Sequence, residues 1–530
     1  MRRWNGWGDD ADHYSLGDDA RAFLSERLGP GTAPRDATLE QVLQSVPETR
    51  LPAASPFQTD ARQRLLHARG QSFPDWIAMR SGRMGPYADG VALPTSHDEA
   101  AQALAAARRL GAIVVPYGGG TSVVGHLEVP AGDRPVVNIS LERMNRLLAV
   151  DERSQLATFG AGTPGPQIEA QLRTHGFLLG HFPQSYPYST LGGWVVTRSS
   201  GQQSLRYGRI EQLFAGGRMA TPRGELRVGG VPASAAGPDL REAVLGSEGR
   251  LGLLTEVSAR VRRLSACEDF NGVFFPDWDS AAEAMRAIVQ NDVPLSMLRL
   301  SNEVETETQL RLAGHPELIR WLQRYLGMRG IQARQCLLMM GLTGSLAEVR
   351  RMRREALAIA RRFRGVHVGK AMGKTWARNR FRGPLLRNAL WELGYAADTV
   401  ETAVNWPKAT PLMRAIEQAA QDALAADNER VHAFTHLSHV YRQGCSIYST
   451  FVYRSAGDAD ANLERWRRLK TRVSETIVAH GGTISHQHGV GVDHAPYLAA
   501  EKGALGMDLI RAMVRELDPE GIMNPGKLLA

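Results

Sequence analysis

The feature that most constrains this chain is a glycine-rich turn, Gly118-Gly119-Gly120-Thr121-Ser122, which follows the β-branched run Ile113-Val114-Val115. A strand that runs into consecutive glycines leaves its backbone N–H groups open to close approach, and the Thr and Ser hydroxyls add further donors. Such a turn can wrap a phosphate. A plain glycine turn without a ligand is the other interpretation that this motif leaves open.

Two better-known phosphate-binding motifs are disfavoured by the residues after the turn. A P-loop requires G-x-x-x-x-G-K-[ST], but the stretch from Gly120 to Gly125 is followed by His126 rather than lysine. A Rossmann turn opens a helix, whereas Val123 to Pro130 begins with adjacent valines and ends in proline, a poor helix start. Nucleotide triphosphate hydrolysis and a Rossmann site are therefore poor candidates.

Length and local pattern divide the chain into four parts, because 530 residues exceed what one hydrophobic core usually organises. We predict an N-terminal helical segment at 1–78, an α+β domain with the turn at 79–265, a second α+β domain at 266–440, and a His- and Gly-rich C-terminal segment at 441–530 that returns to the first domain. Ser96 and Glu99 form a capping box, which predicts a helix that continues to Leu110 and ends at Gly111.

Composition indicates an ordinary globular enzyme, with 43% hydrophobic and 22% charged residues. No apolar run approaches the ~20 residues of a membrane span, and the first ten residues lack the apolar stretch of a secretory signal, so we expect a cytoplasmic protein. Three widely separated cysteines fit a reducing compartment and are interpreted as small buried hydrophobes: Cys267, Cys336 and Cys445.

The net charge is +8, and basic residues are densest in an arginine-rich stretch from Ser345 to Phe363. Apolar residues recur there near helical spacing while arginines fill the remaining positions, which is typical of a solvated helix face. We therefore expect no nucleic-acid partner.

Two further small-residue segments lie beyond the turn: Y-S-T-L-G-G-W-V-V-T-R-S-S-G from Tyr188 and G-S-E-G-R-L-G from Gly246. In order and spacing, the three segments resemble the FAD-binding domain of the vanillyl-alcohol oxidase type. The resemblance implies an α+β fold in which the turn holds the FAD pyrophosphate, with an α+β substrate (cap) domain and helical N- and C-terminal segments. It implies the following FAD-binding residues: Pro116, Tyr117, Gly118, Gly119, Gly120, Thr121, Ser122, Gln184, Ser185, Tyr188, Ser189, Thr190, Gly192, Gly193, Thr197, Arg198, Ser199, Ser200, Glu248, Gly249, Leu251 and Gly252.

Motifs along nearly the whole chain are similar to those of the alkyldihydroxyacetonephosphate synthase (alkylglycerone-phosphate synthase) family. W-N-G-W-G from Trp4 matches its N-terminal motif, Y-G-R-I-E from Tyr207 its Y-G-x-I-E, and G-G-T-I-S-H-Q-H-G-V-G from Gly481 its G-G-S-L-S-H-H-H-G-V-G. The chain departs from the family pattern at three positions: Gln184, Ser446 and Gln487.

This resemblance implies exchange of the acyl chain of acyl-dihydroxyacetone phosphate for a fatty alcohol, which gives an ether lipid precursor without net redox change. FAD, itself held noncovalently, is the covalent catalyst in that reaction. The implied partners are a lipid-like phosphate ester and a long-chain alcohol. Peripheral membrane contact and a homodimer are further expectations.

Tyr448 is the candidate acid/base, since it matches the tyrosine of the family, although an isolated tyrosine on a strand is also a common core residue. A phenol with an ordinary pKa of ~10 needs neighbours that stabilise its anion. We expect imidazolium from His486 or His488 to do so, which makes both histidines candidate catalytic residues.

The candidate substrate-binding residues are Arg387, Arg299 and His439. Arg387 can bind a carboxylate or phosphate through its planar fork, and the other interpretation is an exposed helix arginine. Arg299 either faces the same cavity or braces it.

Other functions stay open from the sequence. A D-2-hydroxyacid dehydrogenase shares the FAD domain but has an acidic residue where this chain has Gln487, and His436-Leu437-Ser438-His439 is not followed by Gly-Asp-Gly-Asn. A non-catalytic flavin-binding protein retains the FAD segments as well. No metal is predicted, because the His486-x-His488 pair has no evident carboxylate or cysteine partner.

Overall fold

The computed structural model describes residues 2–314 and 316–529. Its first part has four helices: α1 (Asp18–Leu28), α2 (Leu39–Gln44), α3 (Ala61–Leu66) and α4 (Phe73–Ser81). Two of these helices pack on later parts of the chain, since Leu24 of α1 shares a hydrophobic cluster with Leu390 and Tyr395, and Trp76 of α4 joins the largest core.

The next unit contains the glycine turn, and we call it the turn unit. Its elements are β1 (Gly90–Ala92), α5 (His97–Arg109), β2 (Ile113–Tyr117), β3 (Val136–Ser140), β4 (Leu147–Asp151), β5 (Leu156–Gly160), α6 (Gly165–Arg173), β6 (Phe177–Leu178), α7 (Leu191–Val196), α8 (Ser204–Tyr207), α9 (Ile210–Leu213), β7 (Phe214–Thr221), β8 (Gly224–Gly229), α10 (Arg241–Val244), β9 (Leu253–Arg260) and β10 (Arg262–Arg263). A parallel sheet β1-β3-β2 and an antiparallel sheet β4-β5-β9-β7-β8 enclose its core.

The predicted helix after Ser96 is confirmed as α5, with one difference at its start. Ser96 Oγ accepts from the Glu99 backbone N–H at 3.2 Å, but the Glu99 carboxylate accepts from Thr95 N at 2.7 Å instead of from Ser96. Each bond satisfies a backbone donor at the helix entry.

Residues 267–479 form a second unit around one large sheet, and we call it the sheet unit. Its elements are β11 (Cys267–Phe275), α11 (Trp278–Gln290), β12 (Met297–Ser301), α12 (Glu303–Leu312), α13 (Pro316–Met328), β13 (Cys336–Gly344), α14 (Leu346–Arg362), β14 (Val366–His367), α15 (Ala371–Asn379), α16 (Gly383–Glu392), β15 (Tyr395–Asn405), α17 (Trp406–Ala425), β16 (His432–Leu437), β17 (Gly444–Arg454) and α18 (Ala459–Ala479). The antiparallel strand order is β14-β11-β13-β12-β16-β17-β15. The boundary predicted at residue 440 therefore falls inside this sheet, because β17 pairs with both β15 and β16.

The chain then returns to the turn unit through a short 3₁₀ helix (Ala495–Tyr497) and α19 (Leu498–Leu517). Ile522 and Met523 are buried in the core of the turn unit, and Val114 N on β2 donates to Ile522 O at 2.8 Å. The α+β fold class is confirmed.

The arginine-rich stretch is the amphipathic helix α14, as predicted. Val349, Met352 and Ala356 are buried, while most of the arginines are exposed. Cys336 and Cys445 are buried as expected, whereas Cys267 is only half-buried. Among the described residues, no helix is long and apolar enough to cross a membrane.

Candidate active site

The glycine turn lies at the end of β2 and packs directly against the backbone of the second small-residue segment. A Cβ atom at Gly119 would lie 2.0 Å from the Tyr188 carbonyl oxygen, and one at Gly118 would lie 2.6 Å from Thr190 Oγ1. Gly120 has φ +69°, which glycine adopts without strain. The glycines therefore allow this close packing, and the turn lines a cavity as backbone without side chains, the surface that a pyrophosphate needs for close approach.

Two residues of the second and third small-residue segments, Arg198 and Glu248, hold left-handed backbone, with φ of 52° and 53°. Such conformations cost a non-glycine residue on the order of 1 kcal/mol and persist only where surrounding contacts fix them. The Glu248 carboxylate accepts from the N–H groups of Val490 and Gly491, the latter at 2.8 Å. Glu248 therefore ties the third segment to the loop that carries His488.

A cavity of about 530 Å³ lies between the turn unit and the sheet unit, a size typical of small-molecule sites. Of the residues predicted to hold FAD, all but four line one wall of this cavity. The other wall mixes apolar side chains with polar ones. The polar side chains include Arg299, Glu305, Arg387, Asp398, His436 and Tyr448 from the sheet unit and His488 from the loop after α18. The bare turn and the Thr121, Ser122 and Thr190 hydroxyls fit the pyrophosphate of FAD.

The four exceptions are Tyr188, Arg198, Ser200 and Leu251. The Tyr188 hydroxyl donates to Asp12 at 3.2 Å on the other side of the turn, and the Arg198 guanidinium pairs with Glu242 at 2.5 Å. Ser200 is buried against His439, and Leu251 is buried in the core of the turn unit. These four side chains therefore lie behind the wall and support it, whereas the sequence predicted that they contact FAD directly.

Tyr448 lies on β17, where the strand register places it opposite Glu401 on β15 and His436 on β16. Its ring stacks on His436 with 4.8 Å between centroids and meets His488 edge-on at 5.9 Å. Burial raises the pKa of Tyr448 to about 12, so the phenol is protonated at neutral pH.

Arg299 is held beside this cluster by a buried carboxylate. Its Nη2 donates to Glu305 Oε1 at 2.7 Å, and His436 Nδ1 lies 2.9 Å from the same oxygen. Burial opposes charge on Glu305, but Arg299 and His436 outweigh it and lower the pKa of this carboxyl to about 2. Sequence reasoning missed Glu305 and His436; their only signals were a helix start after Asn302 and the H-L-S-H run.

Arg387 lies on α16 with its guanidinium carbon 4.6 Å from the ring centroid of Trp76. Nη1 donates to the Gln71 carbonyl at 2.6 Å, while Nε and Nη2 are buried with no hydrogen-bond partner among the described residues. Unpaired buried donors are rare in folded proteins. Arg387 also lines the cavity, and a guanidinium with N–H donors to spare is suited to a phosphate or carboxylate.

His486 and His439 lie behind the cavity wall, whereas the sequence predicted that both lie at the reaction centre. Their rings stack at 4.9 Å, and His486 Nδ1 lies 3.2 Å from Glu401 Oε1. Burial lowers the pKa of His486, and it lowers the pKa of His488 as well. The expected imidazolium beside Tyr448 is therefore wrong, because both rings are neutral near pH 7.

Glu401, His439 and His486 place potential metal-ligating atoms within 4.8 Å of one another, so the sequence argument that a carboxylate partner was missing is wrong. The chemistry around them still opposes a cation. Arg209 Nη1, which can only donate, lies 2.7 Å from His486 Nε2 and leaves the ring proton on Nδ1, the atom a metal would need bare. The expectation of no metal stays a prediction.

Comparisons with known proteins agree with this geometry. Family models described as "FAD binding domain" and "FAD linked oxidases, C-terminal domain" match residues 88–230 and 268–528. Alkyldihydroxyacetonephosphate synthase of Trypanosoma brucei brucei is 32% identical over 89% of this chain and 78% of its own length, and the synthase of Dictyostelium discoideum is 31% identical over the same shares. A solved alkyldihydroxyacetonephosphate synthase structure superposes with a TM-score of 0.81 at 26% identity, covering 99% of this chain and 98% of that one. FAD is the cofactor, and the chain belongs to the alkyldihydroxyacetonephosphate synthase family.

Proposed function

We propose that this protein is an FAD-dependent alkylglycerone-phosphate synthase-like transferase, which exchanges the acyl chain of acyl-dihydroxyacetone phosphate for a long-chain alcohol. One observation carries the proposal: Arg387 with two unpaired donors and Tyr448 with its hydroxyl line the same cavity as the glycine turn. An anion site and a proton-transfer group are what a reaction on a phosphorylated ketone requires.

When bound, FAD supplies a nucleophilic ring nitrogen beside the substrate ketone. Arg387 binds the substrate phosphate or the leaving carboxylate through its guanidinium fork. The raised pKa keeps the Tyr448 phenol protonated, so its hydroxyl donates to the leaving carboxylate while a base takes the proton from the carbon beside the ketone. Neutral His488 at its ring edge provides a base within the same cavity.

The test is acyl exchange measured without an electron acceptor. We expect purified holoprotein to convert acyl-dihydroxyacetone phosphate and a labelled fatty alcohol into a labelled ether and a free fatty acid without consuming an electron acceptor. Dye reduction by lactate or 2-hydroxyglutarate without exchange would instead assign a D-2-hydroxyacid dehydrogenase. Bound FAD with neither activity would assign a non-catalytic flavin-binding protein.

We also propose that FAD is bound noncovalently. His126, the histidine that follows the turn, is buried: Nδ1 lies 2.7 Å from Ser122 Oγ, and Nε2 faces the Glu248 carboxylate at 3.0 Å. After acid precipitation the yellow colour should remain in the supernatant. Colour in the pellet would contradict noncovalent binding.

Peripheral contact with a lipid surface is supported by helix α13. Its outer face exposes Leu318, Trp321 and Met328 to 68%, 66% and 80%, while Leu326 on the other face is buried. Exposed arginines flank the apolar face, among them Arg324, which lies 5.4 Å from the Trp321 ring centroid. Apolar and aromatic side chains rimmed by arginine are typical of interfacial helices.

Vesicles that contain anionic lipid provide the measurement. The double substitution Trp321→Ser with Met328→Ser should reduce co-sedimentation with the vesicles several-fold, because both exposed side chains are lost from the contact. Leu346→Ser is the matched control, since Leu346 is 54% exposed but lies on α14. Equal loss in the control would exclude a specific contact at α13.

A further inference from the structure

The W-N-G-W-G motif lies in a short self-contained loop, residues 2–12, which we call the clasp. Arg3 N donates to Gly8 O at 2.9 Å, and Asp12 N donates to Asp9 O at 2.9 Å. The Asp12 carboxylate accepts from Asp9 N at 2.8 Å, which closes the loop on itself. The clasp therefore has a defined shape of its own before any contact with the rest of the molecule is considered.

One face of the clasp lies on α16, the helix that carries Arg387. Asn388 Nδ2 donates to Trp7 O at 2.9 Å, and Asn388 Oδ1 accepts from Trp7 N at 3.2 Å. A Cβ at Gly6 would lie 2.7 Å from Asn388 Oδ1, and one at Gly8 would lie 2.8 Å from Leu385 Cδ2. The two glycines of the motif are therefore needed for the clasp to lie this close to the helix.

The other face of the clasp meets the glycine turn. The Arg2 guanidinium donates to the hydroxyl of Tyr117, the last residue before the turn, and its carbon lies 5.3 Å from the centre of that ring. Asp12 accepts from the Tyr188 hydroxyl at 3.2 Å. Trp7, between these contacts, is only 6% exposed and lines the cavity.

We propose that the clasp completes the cofactor site. Arg2 is a positioning residue that fixes the glycine turn through the Tyr117 hydroxyl, and Trp7 closes the seam between the turn unit and α16. The clasp bonds both to α16 and to the glycine turn. These contacts must therefore break before the turn unit and α16 can move apart. The clasp therefore slows the release of FAD.

The experiment measures the rate of FAD release from holoprotein by the rise in flavin fluorescence on dilution. Loss of the charged hydrogen bond in Arg2→Gln should speed release roughly tenfold, and Tyr117→Phe should do the same. Tyr117→Phe also removes the bond from this hydroxyl to the Leu66 carbonyl at 3.1 Å. The double variant should therefore release FAD no faster than Tyr117→Phe alone, because that substitution already removes the group that Arg2 contacts. Arg2→Lys, which retains a donor and the charge, should restore part of the slow release.

Gly6→Ala tests the clasp without touching the turn, because its Cβ meets Asn388 rather than any cavity residue. We expect faster FAD release from this variant, whereas Gly17→Ala, whose Cβ meets no atom within 4 Å, should match the wild type. Thermal unfolding of each apoprotein controls for loss of folding. Release within twofold of wild type in both Arg2→Gln and Gly6→Ala, or multiplied effects in the double variant, would overturn the proposal. None of these measurements requires substrate, so a failure of the proposed transferase activity leaves this test unaffected.

Discussion

The two walls of the cavity are built from different parts of the polypeptide. The turn-side wall is largely backbone, shaped by glycines whose Cβ atoms would strike neighbouring carbonyls and side chains. The sheet-side wall is formed by side chains, and its function depends on individual polar groups, such as the Tyr448 hydroxyl and the Arg387 guanidinium. One added atom should therefore damage the first wall, and one removed atom should damage the second.

The largest effect is expected from adding a single methyl group to the turn-side wall. In Gly119→Ala the new Cβ would lie 2.0 Å from the Tyr188 carbonyl oxygen, a backbone atom that cannot move aside cheaply. We expect the purified variant to contain little or no FAD, measured by the ratio of flavin to protein absorbance. Gly457→Ala, whose Cβ meets no atom within 4 Å, is the control and should keep full FAD content. Normal FAD content in Gly119→Ala would refute the description of this wall.

Removing one oxygen from the sheet-side wall should abolish chemistry and spare the cofactor. Tyr448→Phe keeps the ring that stacks on His436, and loss of one proton-transfer group typically costs on the order of 10² to 10⁴ in rate. Acyl exchange should fall by that factor with FAD content unchanged. Tyr395→Phe removes a hydroxyl that bonds to Gly29 O at 2.8 Å away from the cavity, and it should retain exchange. Comparable losses in both variants would mean that Tyr448 is a structural residue.

The difference between the backbone of the turn-side wall and the side chains of the sheet-side wall explains which residues could be predicted from the sequence. The turn-side wall is encoded by short local motifs, so its residues and the fold class could be predicted from pattern and resemblance. On the sheet-side wall, neighbours are set by strand register: Glu305 meets His436 although 131 residues separate them, because β12 pairs with β16. The homodimer stays a prediction.

The loop that carries His486 and His488 shows the limit of spacing arguments most clearly. The two histidines are two residues apart, but His486 contacts Arg209 behind the wall while His488 meets Tyr448 in the cavity. The loop has no regular secondary structure, so no periodicity fixes the direction of either side chain. Only tertiary contacts decide which of the two reaches the cavity.

A smaller effect is expected when the charge of the sheet-side wall is kept but its shape is changed. Arg387→Lys loses the planar fork with its two unpaired donors, so the KM for the phosphorylated substrate should rise roughly 10- to 100-fold. FAD content should not change, because Arg387 hydrogen-bonds to Gln71 and to none of the residues predicted to hold FAD. Initial rates over a substrate series provide the measurement, with the exposed Arg382→Lys at the start of α16 as the control. An unchanged KM would remove Arg387 from the substrate site.

The smallest effect is expected when the pH is lowered. It tests whether the turn-side wall and the sheet unit both lose stability because buried histidines stay neutral in the folded protein. His181 lies under the turn-side wall, with Nε2 3.1 Å from Ser199 Oγ, and burial lowers its pKa to about 3. His432 in the sheet unit is buried as well, and burial lowers its pKa to about 4. Both rings are therefore neutral in the folded protein at pH values where an unfolded histidine is charged.

Linkage sets the sign of this effect. The unfolded chain binds a proton at each histidine near pH 6.5 while the folded chain does not, so this stability is fully present above about pH 6.5 and is lost as pH falls toward the folded pKa. His181→Gln and His432→Gln should each make the free energy of unfolding less steep between about pH 6 and pH 4.5, by at most roughly 1.4 kcal/mol per pH unit. Denaturant titrations of holoprotein at several pH values measure this slope. If His181→Gln alone flattens it, the acid sensitivity belongs to the turn-side wall; a slope equal to wild type in both variants would show that neither histidine is buried in its neutral form.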